Sequence, residues 1–149
     1  MGQETQTLYS GTFERSMDAK KRVAVPATWL NKKEGEVFYV VPHPSREFLM
    51  VMPPAHFEEW EQRIQESNLS PEKKRKAIRQ FYGAARSVSS DSQGRILLPE
   101  EHCSQVGLTG SATFVGSRSR FEIWNNERYA RTAAEDEEIY KEVAEEIGL

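Results

Sequence analysis

The chain has 149 residues, a formal net charge of −3, 38% hydrophobic residues and one cysteine. This length fits one compact domain or two half-size units fused together, and no stretch is long and apolar enough to predict a membrane span. The polar residues 1–8 lack the apolar core of a secretory signal, and a single cysteine excludes an intrachain disulfide. We therefore expect a cytoplasmic protein in a reducing compartment.

Charge is distributed unevenly along the chain. Residues 1–121 carry a local charge of +3, whereas residues 122–149 carry −6. The net acidity alone argues against nucleic acid as a partner. A basic body with an acidic tail nevertheless permits DNA binding through a local patch.

The predicted elements form two similar series of strands, turns and helices. Alternating apolar residues indicate strands, and apolar residues at intervals of three or four indicate helices. In the first series we predict a strand over residues 8–17, a turn over 18–21, a strand over 22–25, a short helix over 27–33, and strands over 36–41 and 48–52. Helices over 57–64 and 71–82 follow, the second capped by Ser70 and started by Pro71.

The second series begins after Gly83, which marks the predicted end of the preceding helix. We predict a strand over residues 84–90, a turn over 91–94, a strand over 95–98, a short helix over 99–105, strands over 112–115 and 121–124 with a turn at 116–117, and a long helix over 126–147. One face of the long helix is apolar and comprises Tyr140, Val143, Ala144 and Ile147. This mixture of strands and helices predicts the α+β class.

The two series share a nine-residue motif. Residues 18–26 and 91–99 both read D-x-x-x-R-φ-x-φ-P, where φ is apolar, at an offset of 73 residues. One unit is too small to bury a good core by itself, so we expect two units to pack together or to pair between chains. The predicted organisation is a first unit over 8–54, connecting helices over 55–81, a second unit over 82–127 and an acidic helix over 128–149.

No pattern typical of an enzyme or a metal site is present. The histidines are His43, His56 and His102, and none stands beside a nucleophile in a known motif or forms a His-x-x-x-His pair. We expect Cys103 to be a small core residue and His102 to lie on the surface. The chain is therefore expected not to be an enzyme, and to use no cofactor, no metal ion and no small-molecule substrate.

The two turns are better candidates for binding, because hairpin tips project from a fold. The first turn presents Lys20, Lys21 and Arg22, with Arg15 on the incoming strand, and the second turn presents Arg95. An arginine at such a tip can donate two hydrogen bonds to guanine O6 and N7 in the major groove. Lysines beside it can hold phosphates.

The same spacing also fits ion pairs that pin a hairpin without any ligand. Asp18 with Arg22, and Asp91 with Arg95, would each contribute about 0–1 kcal/mol when exposed. Spacing alone does not decide between the two interpretations, and both hold together if the aspartate orients the arginine. The basic residues 73–76 likewise fit either a solvated helix face or a weak phosphate contact.

These features together resemble the MraZ family of bacterial transcriptional regulators over roughly residues 8–140. The resemblance rests on the doubled motif at its spacing, on the Y-G pair at 82–83, and on the E-I-W segment at 122–124 before an acidic helix. It implies a pseudo-two-fold AbrB-like swapped-hairpin β-barrel, built from two tandem SpoVT-AbrB repeats with flanking helices and a C-terminal helix.

The resemblance also implies a function. Family members are ring-shaped homo-oligomers that bind short G-rich promoter repeats and regulate the division and cell wall gene cluster, which would place this protein at the nucleoid. Carried over by motif, Arg22 and Arg95 contact double-stranded DNA, Asp18 and Asp91 are their structural companions, and Lys20 is the usual lysine of the first turn.

The chain departs from the family pattern at two turn positions. Lys21 stands where the family usually has glycine, which costs about 1 kcal/mol if the backbone needs a positive φ there, and Gln93 stands where lysine is usual. Because the second turn is thereby less basic, we predict that Arg22→Ala weakens promoter binding more than Arg95→Ala does, without unfolding the protein.

Two other functions remain open. One is an antitoxin-type AbrB-like protein that binds a toxin through its tail, and the other is an oligomerisation scaffold whose hairpins serve assembly. Salt separates the scaffold from a DNA-binding protein, because binding through lysine and arginine weakens steeply as salt rises.

Overall fold

A computed structural model describes residues 7–149, so the prediction made for the first six residues lies outside it. Over the described range the fold is mixed α+β, as predicted, with eight strands, four α-helices and one 3-10 helix. The strands are β1 Thr12–Ser16, β2 Arg22–Ala24, β3 Val37–Pro42, β4 Phe48–Met52, β5 Arg86–Ser89, β6 Arg95–Leu97, β7 Ser111–Ser117 and β8 Arg120–Trp124. The helices are α1 Pro54–Glu66, α2 Pro71–Ala84, α3 Glu100–Val106 and α4 Asn126–Ile147, with the 3-10 helix at Ala27–Trp29.

The strands form two antiparallel sheets. Six of them follow the order β1-β7-β8-β4-β3-β5, and β2 pairs with β6 in a separate two-stranded sheet. Strands β2 and β6 lie 73 residues apart in the sequence, and β4 and β8 lie 72 apart. At about this offset, β1 corresponds to β5, β3 to β7 and β4 to β8. Exchanging each strand of the large sheet for its counterpart gives the same strand order, read from the other edge. Strand β1 lies beside β7 and β5 beside β3, so strands from the two halves of the sequence alternate at both edges.

Both sheets contribute to one apolar core. Val23 of β2 and Ile96 of β6 are buried in it together with Phe121 of β8. Trp29 of the 3-10 helix is 1% exposed, its ring centroid lies 4.8 Å from that of Phe121, and its Nε1 donates to the Ser10 carbonyl at 3.0 Å. Burying a large apolar side chain contributes about 1.5–3 kcal/mol, so Trp29 helps to hold the 3-10 helix, which follows β2, against the large sheet.

A second apolar cluster covers the opposite face of the large sheet. Phe57 of α1 stacks on Tyr39 of β3 with centroids 4.3 Å apart and on Phe81 of α2 at 4.6 Å. Alternate residues of β3 point to the two clusters, with Val40 in the first and Val41 in the second, as the two-residue period of a strand requires. Helices α1 and α2 are therefore fixed on the sheet by aromatic stacking.

Several predicted elements differ from the observed ones for tertiary reasons. The helix predicted over residues 27–33 is a single 3-10 turn, because Trp29 turns into the core and Leu30 is already extended, with φ −100° and ψ 127°. The turn predicted at 116–117 lies later in the chain, because β7 continues through Gly116 and Ser117. A Cβ atom on Gly116 would lie 2.6 Å from the backbone of Ser10, so only glycine lets the two chain segments approach there.

The structure corrects one side-chain prediction and confirms another. His102 was expected on the surface but is 3% exposed, and its Nε2 donates to the Ala84 carbonyl at 2.7 Å. Cys103 is buried in the core as expected. The predicted end of this helix at Gly83 is also one residue early, since α2 ends at Ala84.

No helix within residues 7–149 is both long enough and apolar enough to cross a membrane.

Candidate nucleic-acid interface

The first D-x-x-x-R turn is closed by the side chain of Asp18. Its Oδ1 accepts hydrogen bonds from the backbone N–H groups of Lys20 and Arg22, both at 2.9 Å. Its Oδ2 accepts a hydrogen bond from Nε of Arg22 at 2.7 Å. The backbone N–H of Lys21 donates to the Asp18 carbonyl at 3.0 Å. One aspartate therefore fixes both the shape of the turn and the direction of the arginine.

The second turn repeats this geometry. Oδ1 of Asp91 accepts from the backbone N–H groups of Gln93 and Arg95, both at 2.9 Å, and Oδ2 accepts from Nε of Arg95 at 3.0 Å. Gly94 donates to the Asp91 carbonyl at 2.9 Å. The equal spacing of the two motifs thus corresponds to equal hydrogen bonding, and the ion pairs that the spacing also fits are present.

The aspartates are held in their charged form. The backbone N–H of Arg22 is the main cause that lowers the pKa of the Asp18 carboxyl, and the backbone N–H of Arg95 does the same for the pKa of Asp91. Hydrogen bonds to an ionised carboxylate favour that form. Each arginine therefore faces a fixed negative charge at neutral pH.

Pairing of β2 with β6 brings the two turns together. Arg22 lies opposite Leu97, Val23 opposite Ile96 and Ala24 opposite Arg95. Directly opposed residues point to the same side of a sheet, and neighbours along a strand point to opposite sides. Since Val23 and Ile96 face the core, both arginines lie on the outer face.

The two ion pairs form one cluster on that face. Nη1 of Arg95 lies 3.9 Å from Oδ2 of Asp18, so the arginine of one turn approaches the aspartate of the other. The side chains of Arg22 and Arg95 are 35% and 29% exposed, neither core residues nor free tips. Because each aspartate binds the Nε of its arginine, the Nη1 and Nη2 atoms of that arginine are not needed to hold the turn. Those terminal nitrogens, directed by the ion pairs, suit a two-point contact with a base edge.

The lysines of the first turn extend this cluster. Lys20 is exposed, and Lys21 is half-buried with φ +67°, close to the +75° of Gly94 at the matching position of the second turn. The first turn therefore keeps its shape despite the lysine, and Lys21 adopts a left-handed conformation that disfavours a side chain.

Other basic residues predicted as contacts lie apart from the turn cluster. The guanidinium of Arg15 on β1 lies over the Phe13 ring, 5.2 Å from its centroid, and donates to the Glu14 carbonyl. It forms no ion pair with either turn aspartate in the described part of the chain. On α2, Lys76 pairs with Glu72 at 3.0 Å and Nζ of Lys74 donates to the Gln65 carbonyl at 2.6 Å, so two residues of the basic cluster 73–76 have protein partners.

Sequence reasoning did not find Arg46 and Arg79 as neighbours of Arg86. These three line one cleft between the β3–β4 turn, α2 and the start of β5. They come from three different elements of the fold, and no sequence motif links them. Among residues 7–149 no group of three or more histidine, cysteine, aspartate or glutamate side chains converges as a metal site.

Comparison with known proteins identifies relatives over nearly the whole chain. Residues 81–147 match a family model described as "MraZ protein, putative antitoxin-like". The chain is 36% identical to the Transcriptional regulator MraZ of Symbiobacterium thermophilum, with 93% of this chain and 99% of that protein covered. The chain belongs to the MraZ family. Proteins with the same name from Ligilactobacillus salivarius and Thermobifida fusca are 32% and 29% identical, each with 94% of this chain and 96% of the relative covered.

Membership of the MraZ family fixes the broad functional class. The relatives are named transcriptional regulators, and the family is not one of enzymes. The family model matches the second half of the chain, whereas the full-length relatives also cover the first half. Both D-x-x-x-R turns therefore belong to the part of the chain that MraZ proteins share.

Proposed function

We propose that this MraZ-family chain is a sequence-specific regulator that binds double-stranded DNA at short G-rich repeats in the promoter of the division and cell wall gene cluster. Arg22 and Arg95 read the guanines. The observation that carries the proposal is the pair of aspartate-held arginines on the outer face of one two-stranded sheet. The names of the relatives, which are transcriptional regulators, support it.

The proposed contact uses the dimensions of the β2–β6 sheet. The major groove of B-DNA admits a two-stranded β-ribbon, and guanine offers O6 and N7 to a bidentate arginine. Asp18 and Asp91 hold the arginines by Nε, so little side-chain freedom is lost on binding. Lys20 and Lys21 hold phosphates beside the first arginine, and Arg15 lies further out on β1 as a weaker contact.

The proposed architecture is the AbrB-type swapped-hairpin barrel, with units over residues 8–54 and 82–127, connecting helices over 55–81 and an acidic helix over 128–149. The symmetric strand order and the nearly equal offsets between corresponding strands support it. In such a barrel each half supplies strands to the other. The pseudo-two-fold axis then passes through the Val23–Ile96 pair, which places the two arginines symmetrically on either side.

We also propose that the chain assembles with itself into a ring. Helix α4 leaves apolar side chains in solvent beside many acidic ones, while the basic residues 73–76 lie on α2 of the same chain. Opposite charge on two helices of identical copies favours a contact between one copy and the next. A ring lets several turn clusters bind several promoter repeats, and linked binding events gain affinity through effective concentration. Such a regulator would lie at the nucleoid.

The test is binding of purified variants to a fluorescent duplex that carries the repeats found upstream of the gene. Arg22→Ala and Arg95→Ala should each weaken binding by about 1–3 kcal/mol, the usual worth of a bidentate base contact, with the larger loss for Arg22→Ala. As a control, Arg131→Ala removes one positive charge on α4, far from both turns in the sequence, and should leave the affinity for the duplex almost unchanged. Retention of wild-type affinity by the Arg22→Ala, Arg95→Ala double variant would refute the proposal.

The antitoxin-type alternative keeps the same DNA contact and adds a protein partner at α4. The words of the family description and the exposed apolar side chains of α4 favour keeping it as second candidate. Sedimentation of the purified chain separates the two, because a ring occupies α4 with its own copies and leaves no face for a toxin.

A further inference from the structure

A second group of cations lies outside the turn cluster. Arg46, Arg79 and Arg86 line a cleft of about 380 Å³, which we call the arginine cleft. Arg86 also lines a neighbouring depression of about 430 Å³ that contains Lys20, Lys21 and Leu97. Because Arg86 belongs to both, the basic surface is continuous from the first turn to the cleft.

The arginine cleft keeps an excess of positive charge. Its one carboxylate, Glu101, lies 3.7 Å from Nη2 of Arg86 and balances a single guanidinium. Nη1 of Arg46 donates to Oε1 of Gln105 at 3.0 Å, which orients that side chain without neutralising it. His102 lies against the cleft with its Nε2 donating to the Ala84 carbonyl, and its burial lowers its pKa, so it stays neutral at physiological pH.

Within residues 7–149, this combination of basic residues is not repeated at the matching positions of the other half. At the matching offsets, Gln93 of the second half corresponds to Lys20, Gly94 of the second half corresponds to Lys21, and Phe13 of the first half corresponds to Arg86. Arg46 does have a counterpart, Arg118, with almost the same backbone angle, φ +66° against +62°. Arg118, however, lines a different cleft, where it and Lys32 are balanced by the carboxylates of Glu36 and Glu59. The two halves are thus alike at their turns and unlike in charge beside them.

We propose that the arginine cleft binds the phosphate backbone of the bound duplex, beyond the bases that Arg22 and Arg95 contact and on one side only. The inference rests on the proposed function and deepens it. Arginine is suited to phosphate because its planar fork donates two parallel hydrogen bonds. A phosphate contact carries no base information but fixes register and orientation. The near-symmetric turn cluster is thereby bound to a repeat in one direction.

The decisive variant removes the two arginines of the cleft that form no ion pair with a carboxylate of residues 7–149. Arg46→Gln with Arg79→Gln should lower the steepness of log K against log[salt] by about 1.8, the value for two lost phosphate contacts. The matched control is Arg118→Gln with Arg131→Gln, which removes equal charge and includes the counterpart of Arg46 with the same backbone conformation. The control should keep the wild-type slope, and circular dichroism checks that both variants fold.

A second measurement tests the one-sided placement. Two duplexes carry a single G-rich repeat at one end or at the other, so that flanking DNA extends in only one direction from the repeat. The wild type should prefer one of these duplexes, and Arg46→Gln with Arg79→Gln should remove the preference. Equal affinity of the wild type for both duplexes, or a salt slope of the cleft variant equal to that of the control, would overturn the inference.

The source of the phosphate is tested by titrating inorganic phosphate into DNA-free protein by calorimetry. If phosphate binds through the cleft while the DNA isotherm of the cleft variant matches that of the control, the site serves a free phosphate compound and the inference is overturned. Failure of the proposed function looks different. In that case the wild type does not distinguish the repeat duplex from a scrambled one, and Arg22→Ala has no effect.

Discussion

At the residue scale, the carboxylates of Asp18 and Asp91 sit in the middle of a surface proposed to meet DNA. Bulk electrostatics predicts that removing such a charge strengthens DNA binding. The hydrogen bonds predict the reverse, because Oδ2 of each aspartate holds the Nε of an arginine. If asparagine replaced the aspartate, its amide NH₂ would face that Nε. Both groups are donors, so no hydrogen bond could form there, while Oδ1 could still accept from the backbone and close the turn.

Asp91→Asn should therefore weaken binding to the repeat duplex about tenfold, or about 1.4 kcal/mol, measured by fluorescence anisotropy. Glu100→Gln is the matched control, since Glu100 is exposed beside Lys20 and Lys21 and has no such role. It should leave affinity unchanged or raise it slightly. Tighter binding by Asp91→Asn would mean that the ion pair opposes recognition.

Lys21 is a second residue with two opposing effects. Its backbone conformation lowers the stability of the fold, whereas its side chain is proposed to favour DNA binding. It holds φ +67° where the other turn has glycine, and a left-handed conformation costs a side-chain-bearing residue roughly 1–2 kcal/mol. Lys21→Gly should raise the free energy of unfolding by about 1 kcal/mol in urea titrations. The same variant should bind DNA more weakly, because one phosphate contact is lost. Lys20→Gly, one residue earlier, should lose affinity without gaining stability.

At the element scale, the sequence predicts elements that their own residues determine. Strand β4 and helix α4 begin and end where predicted, because Pro53 follows one and Asn125 caps the other, accepting from the Arg128 N–H at 3.0 Å. The 3-10 turn at Trp29 and the extension of β7 depend on packing against Ser10, which no local pattern encodes.

The candidate site was predictable only in part for the same reason. Spacing identified Arg22 and Arg95 and the aspartates that pair with them. It did not indicate that β2 and β6 place them on one face, since that register joins residues 73 apart in the chain. The arginine cleft could not be predicted from the sequence, because Arg46, Arg79 and Arg86 come together only when three elements pack.

The junction of α2 and α3 should make stability depend on pH. His102 is buried, its Nδ1 has no hydrogen-bond partner among residues 7–149, and burial lowers its pKa. The unfolded chain therefore binds a proton at higher pH than the folded protein does. Stability should fall as the pH drops below about 6.5, the ordinary histidine value, in chemical denaturation at several pH values. His102→Gln, whose amide can still donate to Ala84, should flatten this dependence between pH 7 and 5; an unchanged slope would mean that another group causes it.

At the scale of the whole molecule, the two halves share a β framework but differ in their helices. Helix α1 is covered by α2 through Phe57 and Phe81. Helix α4 occupies the matching place after β8 but has no buried residue. Its apolar face is left in solvent, with Ile139, Tyr140, Val143 and Ile147 between 46% and 68% exposed. A face of this kind on a long helix is typical of an interface, and in the proposed ring a second copy of the chain covers it.

Val143→Glu places a charge in the centre of that face and should dissociate the assembly, seen as a fall in mass by light scattering. Ala134→Glu is the matched control, because nine residues at about 100° per residue put it on the opposite side of the same helix. If assembly supplies avidity, Val143→Glu should lose about 10²-fold in affinity for a duplex with several repeats, yet bind a single repeat as the wild type does. Loss of single-repeat binding would instead place α4 in the DNA contact itself. An unchanged mass would show that the copies meet through another surface.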